Sequence, residues 1–426
     1  MVAGAGSQGD KHPSISSEVN PNQSSGLSDA QITTGFTLLA ITTFATSIAM
    51  QTSQAIQPNF MRDVIGMDGA QNGYLIAIRE LPGFLLIFVA ALLLRLGLAR
   101  AAAFSLVVMG VGYSLMSLTD SFGQLILPTL IASVGFHSWL QLQPALGLSI
   151  APRGNEGSVL GRLYSIGSLG SFLALFAVLL VLLGVEHFRG DLRDFQEPYL
   201  RWLFVGVGVS AVVGAFAVAR FPVSASDLAA ARVAPKVVWR QEYRLYYALS
   251  FLDGSRQQIY FAFAPFVLVE EFNVNARSIT ILLIVSAVIN WRTGSFVGRM
   301  VDVHGEKNVL TVAYVLHFIV FLGFAFSSSV WMLYVFYLGY LWLFLFYVGT
   351  TTYLRKIAHR EDIPASLAMG VSLAHLTAVI VPIIGAALWS RLGYQFPFLF
   401  GTVFCLASLY LTQKIDIEKQ RISGHS

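Results

Sequence analysis

Residues 278–327 read SITILLIVSAVINWRTGSFVGRMVDVHGEKNVLTVAYVLHFIVFLGFAFS. Two long apolar runs, 278–299 and 308–327, lie on either side of the polar stretch GRMVDVHGEK at 298–307. Each run has about the 20 mostly apolar residues that a helix needs to cross the hydrocarbon core of a bilayer. The stretch therefore predicts two membrane-spanning helices joined by a short polar loop.

Runs of this kind occur along almost the whole chain. Only 12% of its 426 residues are charged, whereas soluble domains have about 25%, so the sequence predicts an all-α integral membrane protein. Twelve segments are long and apolar enough to cross a bilayer: 34–57, 71–94, 101–119, 123–150, 158–184, 200–220, 243–269, 278–299, 308–327, 331–354, 365–389 and 394–413.

The twelve predicted helices divide into two sets of six. The longest connection, 221–242, is charged and contains proline, and it separates an N-terminal bundle, 32–220, from a C-terminal bundle, 243–415. Residues 1–31 are rich in Ser, Gly, Asn and Pro, a composition typical of a disordered tail. They lack the basic and apolar segments of a signal peptide. Residues 416–426 form a second short tail.

Basic residues predict the orientation. If both termini lie in the cytoplasm, 18 of the 27 Lys and Arg residues fall on the cytoplasmic side, 6 on the outer side and 3 within the membrane. Cytoplasmic loops carry an excess of Lys and Arg. We therefore expect a multi-pass protein of the plasma or inner membrane with both termini in the cytoplasm, and we expect a monomer.

The two halves show signs of an internal repeat. Gly97 follows the second helix and Gly305 follows the eighth, an offset of about 208 residues. Gly161 enters the fifth helix and Gly370 enters the eleventh, an offset of about 209. Matching offsets indicate duplication, which is common in secondary transporters.

The polar stretch at 298–307 resembles the signature loop of the major facilitator superfamily. Gly298, Asp302 and Gly305 match that signature, while Val303 stands where a basic residue is usual and Lys307 supplies one nearby. The resemblance implies two six-helix bundles related by a pseudo-two-fold axis. It also implies that Asp302 is a gating residue, although a plain turn residue is the alternative.

Five charged residues fall inside predicted membrane helices. A charge at the centre of a membrane helix costs roughly 2.5–3.5 kcal/mol, so such residues pair, face water or have a function. Asp253 and Arg256 are three residues apart on one helix face and can pair. The pair is either a structural link between helices or part of a substrate or proton site.

Glu80 lies about ten residues from the outer end of the second helix, near the bilayer midplane. A glutamate without a partner at this depth favours its protonated form, which suits a proton carrier. A salt bridge to an arginine on another helix is the alternative, because Arg79 points about 100° away from Glu80 on an ideal helix.

Arg292 lies about two turns from the cytoplasmic end of the eighth helix. It either extends to the surface or faces the cavity and binds an anionic group. Arg79, Glu80, Asp253, Arg256 and Arg292 together carry a net charge of +1. This balance favours an anionic substrate, or one with a carboxylate.

Uncharged polar residues complete the set of substrate-binding candidates. In the family that the loop resembles, helices 1, 4, 7 and 10 line the central cavity. Helix 10 also carries a continuous face of tyrosines, which either binds ligand or packs against other helices. His375 is either a packing residue or a member of a proton relay. The uncharged candidates are Gln51, Gln54, His137, Gln141, Gln257, Tyr337, Tyr340, Tyr347 and His375.

These patterns predict a secondary active transporter that moves a small polar solute by alternating access, with an anionic solute favoured. A proton gradient is the expected driving force, because the phosphate-binding pattern G-x-x-x-x-G-K-[ST] is missing from the sequence. The single cysteine, Cys405, and the scattered histidines give no metal-ligand spacing, so we expect no metal, no cofactor, no nucleic acid and no enzymatic activity. The alternative is a transporter-like protein that senses a ligand or organises partners in the membrane.

Overall fold

The computed structural model describes residues 27–85, 96–152, 155–190, 196–222, 239–359 and 362–417. The regular elements of these residues are helices, which confirms the predicted all-α fold. Most of the predicted N-terminal tail and of the linker at 221–242 lies outside the described residues. So does Leu94, the residue of the first half that corresponds to Asp302 by the repeat offset of about 208.

The N-terminal half contains six helices. They are α1 Asp29–Asn59, α2 Gly69–Phe84, α3 Leu98–Met116, α4 Phe122–Ser149, α5 Glu156–Arg189 and α6 Gln196–Val218. A π-helical turn, Phe60–Val64, extends α1. The first helix begins five residues before its predicted start because Ser28 and Gln31 form a capping box. Such a polar first turn is invisible to hydropathy.

The C-terminal half contains six more. A continuous helical run, Ala276–Phe326, is broken at Gly305, and we call the part before this glycine α8 and the part after it α9. The others are α7 Arg244–Glu270, α10 Val330–Ile357, α11 Ile363–Leu392 and α12 Gln395–Thr412. Within α10, residues Phe344–Tyr347 form a 3₁₀ turn.

A glycine break at equivalent positions supports the repeat. Gly305 has φ 76° and ψ 157°, and Gly97, at the start of α3, has φ 81° and ψ 154°. Glycine adopts this left-handed region readily because it lacks a Cβ atom. The predicted polar loop at 298–307 is therefore mostly helical, and the chain turns sharply only at Gly305.

Length and composition agree with a membrane fold. Nine helices among the described residues are long and apolar enough to cross a bilayer. The run Ala276–Phe326 counts once in that set but spans twice. Two further helices, α2 and α7, lie at predicted spans but are not among the nine. The described part of α2 ends at Phe84 and is only 16 residues long. Helix α7 carries the charged residues Asp253 and Arg256. The described residues thus contain twelve helices at the positions of the twelve predicted spans.

An even number of spans places both ends of the chain on one side. We call this side the terminal face; it contains the start of α1, the end of α6, the start of α7 and the end of α12. The opposite side, the far face, contains the connections at 65–68, 117–121, 271–275 and 327–329. The two halves meet where α2 packs along α11 and where α5 packs along α8.

The halves are in tight contact toward the far face. A Cβ atom on Gly69 would overlap the Trp389 ring, and one on Gly73 would lie 2.8 Å from Phe263. The Asn72 amide donates to the Ala262 carbonyl oxygen at 2.5 Å. The helices therefore touch here through positions that have no side chain, and the far side is closed.

Glu270 adds a titratable group to this closed side. It is the last residue of α7 and lies beyond the apolar span 243–269, near Arg62, Asp68, Glu271 and the Gly69 N–H of the other half. Burial, opposed by Arg62, raises the pKa of its carboxyl group to about 7. Closure of the far face therefore favours the protonated carboxyl group.

The terminal side is more open. Cβ atoms added to Gly161 or Gly298 would meet no atom within 4 Å. Gln141 of α4 and Arg292 of α8 are exposed, as is Asp302. The structure therefore has its far side closed and polar side chains accessible from the terminal side.

Candidate functional site

A cavity of about 250 Å³ lies between the two halves. We call it the central cavity. Helices α1, α2, α3, α4, α7 and α10 contribute to its wall, so the expected set of α1, α4, α7 and α10 was incomplete. The polar and aromatic side chains that line it are Ser53, Gln54, Gln57, Asn72, Arg79, Tyr113, Phe136, Phe261, Phe266 and Tyr337.

Arg79 is the charged side chain among these lining residues. Its side chain is 31% exposed, and its guanidinium donates to Glu80 Oε1 through Nη2 at 2.9 Å and Nε at 3.1 Å. Neighbouring residues that project about 100° apart on an ideal helix need not pair, yet these two form an ion pair. The arginine stem is long enough to bend back, and a buried carboxylate gains more from a partner than an ideal rotamer costs.

Glu80 is buried, and its second oxygen faces two histidines. Glu80 Oε2 lies 3.3 Å from His137 Nε2 on α4 and 3.7 Å from His375 Nδ1 on α11. We call this group the Glu80–His137–His375 triad. His375 belongs to the C-terminal half, so the triad joins the two halves in the middle of the protein.

The hydrogen bonds of His137 fix which of its nitrogens carries the proton. Its Nδ1 lies 3.0 Å from both the Ser133 carbonyl oxygen and Ser133 Oγ. Ser133 Oγ already donates its one proton to the Arg79 carbonyl oxygen, so both neighbours of Nδ1 are acceptors. Nδ1 must therefore be the donor, and a neutral His137 presents a bare lone pair at Nε2.

This arrangement leaves a place for a cation between His137 and Glu80. Nε2 and Glu80 Oε2 are 3.3 Å apart, and two acceptors at that distance can share a proton or bind a metal ion between them. The triad is thus chemically suited to hold and release a positive charge.

Gly83 makes room for both imidazole rings. A Cβ atom at this position would lie 2.6 Å from His137 Cδ2 and 3.1 Å from His375 Nδ1. The two rings are 5.3 Å apart between centroids. The sequence pattern Pro82-Gly83 predicts a loosened helix, whereas the structure gives the glycine a steric role beside the histidines.

Asp253 and Arg256 lie elsewhere, inside the C-terminal bundle. They form an ion pair in which the side chains are only 9% and 3% exposed. Thr350 of α10 donates to Asp253 Oδ2 at 3.0 Å, Arg256 donates to Ser408 of α12, and the Arg256 guanidinium lies 4.3 Å from the centre of the Tyr314 ring of α9. The pair therefore links four helices of one bundle.

A second, smaller cavity of about 30 Å³ adjoins this pair. Gln257, Tyr340 and Tyr347 line it. Its volume is enough for about one water molecule. These three substrate-binding candidates therefore lie beside a water-sized space and not beside the central cavity.

The tyrosine face predicted along α10 is divided. Tyr337 lines the central cavity, while Tyr340 is buried and stacks on Tyr260 with ring centroids 3.7 Å apart. Tyr347 ends the 3₁₀ turn Phe344–Tyr347. Because a 3₁₀ turn has about 3.0 residues per turn instead of 3.6, the later residues rotate out of line with the earlier ones.

The remaining candidates lie at the edges of the site. Gln54 lines the central cavity, and Gln51 donates to Gln54 Oε1 at 3.3 Å. Gln141 and Arg292 are exposed, and neither is part of the central-cavity wall. The surface alternative for Arg292 fits this position.

Comparison with known families agrees with this architecture. Residues 245–421, which run from α7 to beyond α12, match the family model of the Major Facilitator Superfamily. This match covers about two fifths of the chain, and it shows that the C-terminal half is similar to the major facilitator superfamily. The matched family is one of membrane transporters, which agrees with the helical architecture.

Solved structures share the fold over nearly the whole chain. A point mutant of the nucleoside transporter NupG superposes with a TM-score of 0.70 at 14% identity, covering 89% of this chain and 99% of NupG. The xylose transporter XylE from E. coli, partially occluded and inward open, gives 0.66 at 12% identity, with 91% and 98% covered. A D-xylose–proton symporter gives 0.68 at 15% identity, with 92% and 99% covered.

The TM-scores show a shared fold, and identities this low give no information about the substrate. No curated protein matches the sequence. The identity of the cargo therefore has to be argued from the residues of this chain.

Proposed function

We propose that the protein is a proton-coupled secondary active transporter of a small polar solute with an anionic group. Alternating access moves the solute as the two halves rock around the central cavity. The terminal face is the cytoplasmic side in this proposal, because most basic residues lie there. The structure then represents a conformation that is closed on the outside.

One observation carries the proposal: Arg79 belongs to both the cavity and the triad. Its guanidinium forms part of the central-cavity wall and also donates two hydrogen bonds to Glu80. Glu80 in turn faces His137 and His375. A ligand that binds Arg79 therefore changes the hydrogen bonding of Glu80, the proposed proton-binding residue.

Competition for Arg79 supplies the coupling. An anionic substrate that binds the guanidinium withdraws it from Glu80 Oε1, and the buried carboxylate then loses its main positive neighbour. A buried carboxylate without a cation takes up a proton. Substrate binding and proton binding thus favour each other, which describes symport, and loss of the proton returns Arg79 to Glu80.

The cavity wall limits the chemistry of the solute. Gln54 and Gln57 offer amide donors and acceptors, and Phe136, Phe261 and Tyr337 offer aromatic faces. A volume of about 250 Å³ lies near the lower end of the range for ligand sites, about 300–1,000 Å³. These features suit a solute with one ring or a short carbon skeleton and one carboxylate or similar group.

The signature loop is the proposed cytoplasmic gate. Gly298, Asp302 and Gly305 lie on the terminal side, and Asp302 is exposed in this outward-closed conformation. In the gating proposal, Asp302 binds a partner only when the cytoplasmic side closes. Its exposure here is consistent with a released gate.

Transport in proteoliposomes tests the proposal. Purified protein would be reconstituted and offered labelled monocarboxylates, pentoses and nucleosides with an imposed inward proton gradient. We expect accumulation of an anionic solute that collapses when a protonophore is added. Binding without flux for every solute would overturn the transporter proposal and favour a ligand sensor.

Two substitutions separate the roles of the residues. Glu80→Gln should abolish proton-driven accumulation while retaining solute counterflow, because the cavity stays intact. Arg79→Gln should raise the KM by at least about tenfold, equivalent to one lost charged contact. Asp29→Asn, at an exposed position at the start of α1, is the control and should behave like the wild type.

A further inference from the structure

The triad has a second chemical property, which does not depend on whether protons drive transport. One oxygen of Glu80, one ring nitrogen of His137 and one ring nitrogen of His375 all lie within 4.8 Å of one another. Two imidazoles and a carboxylate are the ligand set of many zinc sites that keep an open coordination position.

The distances fit a tetrahedral ion. Bonds of about 2.1 Å set the ligand atoms of a tetrahedral ion about 3.4 Å apart. Glu80 Oε2 lies 3.3 Å from His137 Nε2 and 3.7 Å from His375 Nδ1. The His137 and His375 nitrogens lie within 4.8 Å of each other, so the two rings would have to move together for all three atoms to reach this spacing.

The groups behind the ligands are already in place. The Ser133 carbonyl oxygen accepts from His137 Nδ1, which leaves Nε2 as a lone-pair donor directed at the site. Arg79 binds Oε1 of Glu80 and leaves Oε2 for an ion. Such hydrogen bonds from surrounding residues orient metal ligands and raise their affinity, typically by 10–100-fold.

We propose that the Glu80–His137–His375 triad binds a divalent transition-metal ion such as Zn²⁺. Glu80 and His137 belong to the N-terminal half and His375 to the C-terminal half, so a bound ion ties the halves together. The ion holds the protein in the conformation with a closed far face and inhibits transport.

Metal binding can be measured without transport. Full-length protein in detergent would be treated with a chelator, desalted and titrated with ZnCl₂ by calorimetry, with thermal unfolding as a second readout. We expect one Zn²⁺ per chain and an increase in the unfolding temperature. X-ray absorption at the zinc edge should show two imidazole nitrogens and oxygen ligands.

Substitutions then assign the site. His375→Gln should raise the Kd for Zn²⁺ by at least about tenfold, and its partly exposed position makes a folded variant achievable; His137→Gln should do the same. His187→Gln, an exposed histidine at the end of α5, should bind like the wild type. Unchanged affinity in His375→Gln, or an absorption spectrum without imidazole, would overturn the proposal.

The two proposals fail separately. If wild-type protein binds no Zn²⁺ while Glu80→Gln still loses proton-driven accumulation, the metal site is wrong and proton coupling stands. If Zn²⁺ binds to the triad but Glu80→Gln accumulates solute normally, the metal site stands and proton coupling is wrong.

Discussion

Replacement of Arg256 by methionine distinguishes a structural ion pair from a transport site. The substitution keeps most of the side-chain stem but removes the charge. It leaves Asp253, whose side chain is 9% exposed, without its charged partner and with the Thr350 hydroxyl as a remaining donor. We therefore expect a folded but strongly destabilised protein.

The magnitude follows from burial. Removing one partner of a buried ion pair costs about 3–5 kcal/mol, because the other charge stays in a medium that solvates it poorly. The contact between Arg256 and the Tyr314 ring at 4.3 Å is part of that loss and is not added to it. By contrast, replacing both partners with apolar groups is often neutral or stabilising by about 1–4 kcal/mol, so Asp253→Leu combined with Arg256→Met should recover the lost stability.

Equilibrium unfolding in detergent, followed by tryptophan fluorescence, measures both effects. Arg391→Met, an exposed arginine near the far face, is the matched control and should change stability by no more than about 0.5 kcal/mol. The reasoning is refuted if Arg256→Met has wild-type stability but no transport. That result would place the pair in the transport cycle.

Two further predictions concern the triad and the far face. Gly83→Ala should lower proton-driven accumulation at least about tenfold while counterflow persists, because its Cβ would lie 2.6 Å from His137 and an ordinary contact needs about 3.5 Å; normal accumulation would show that the rings can shift freely. Far-face closure should weaken as the pH rises from about 4.5 to 7, since Glu270 has a pKa of about 7 in this conformation and the ionised carboxylate prefers water. Spin labels at Ser121→Cys and Ser328→Cys, on a Cys405→Ala background, should report this change as a pH-dependent distance between the two halves. The pH dependence should vanish in Glu270→Gln. An identical pH response in that variant would contradict the role of Glu270.

Local sequence determined the number and type of the helices. A run of about 20 apolar residues satisfies its own backbone hydrogen bonds by forming a helix in lipid, so hydropathy alone identifies the spans. The residues around Gly305 also indicated the superfamily whose family model matches 245–421. Helix ends were less predictable: α1 starts at Asp29 because of a polar capping box, and 298–304 continue as helix where a loop was expected.

Local sequence also identified most of the residues that carry chemistry, because a charge in an apolar run is conspicuous. It did not reveal which of them meet. Asp253 and Arg256 look like the best candidates in sequence, but the direction of their side chains into the C-terminal bundle depends on how α7 packs against α9 and α12. The rotation of a helix about its own axis is set by its packing against other helices, and the local sequence does not determine it.

The triad shows the limit most clearly. His137 and His375 are 238 positions apart, and each alone resembles an ordinary packing histidine. Glu80 can be recognised as a functional candidate from the sequence alone, because acidic residues at the bilayer midplane are rare and usually functional. That the two histidines converge on its second oxygen was decided by the packing of α2 against α4 and α11, which only the tertiary structure specifies.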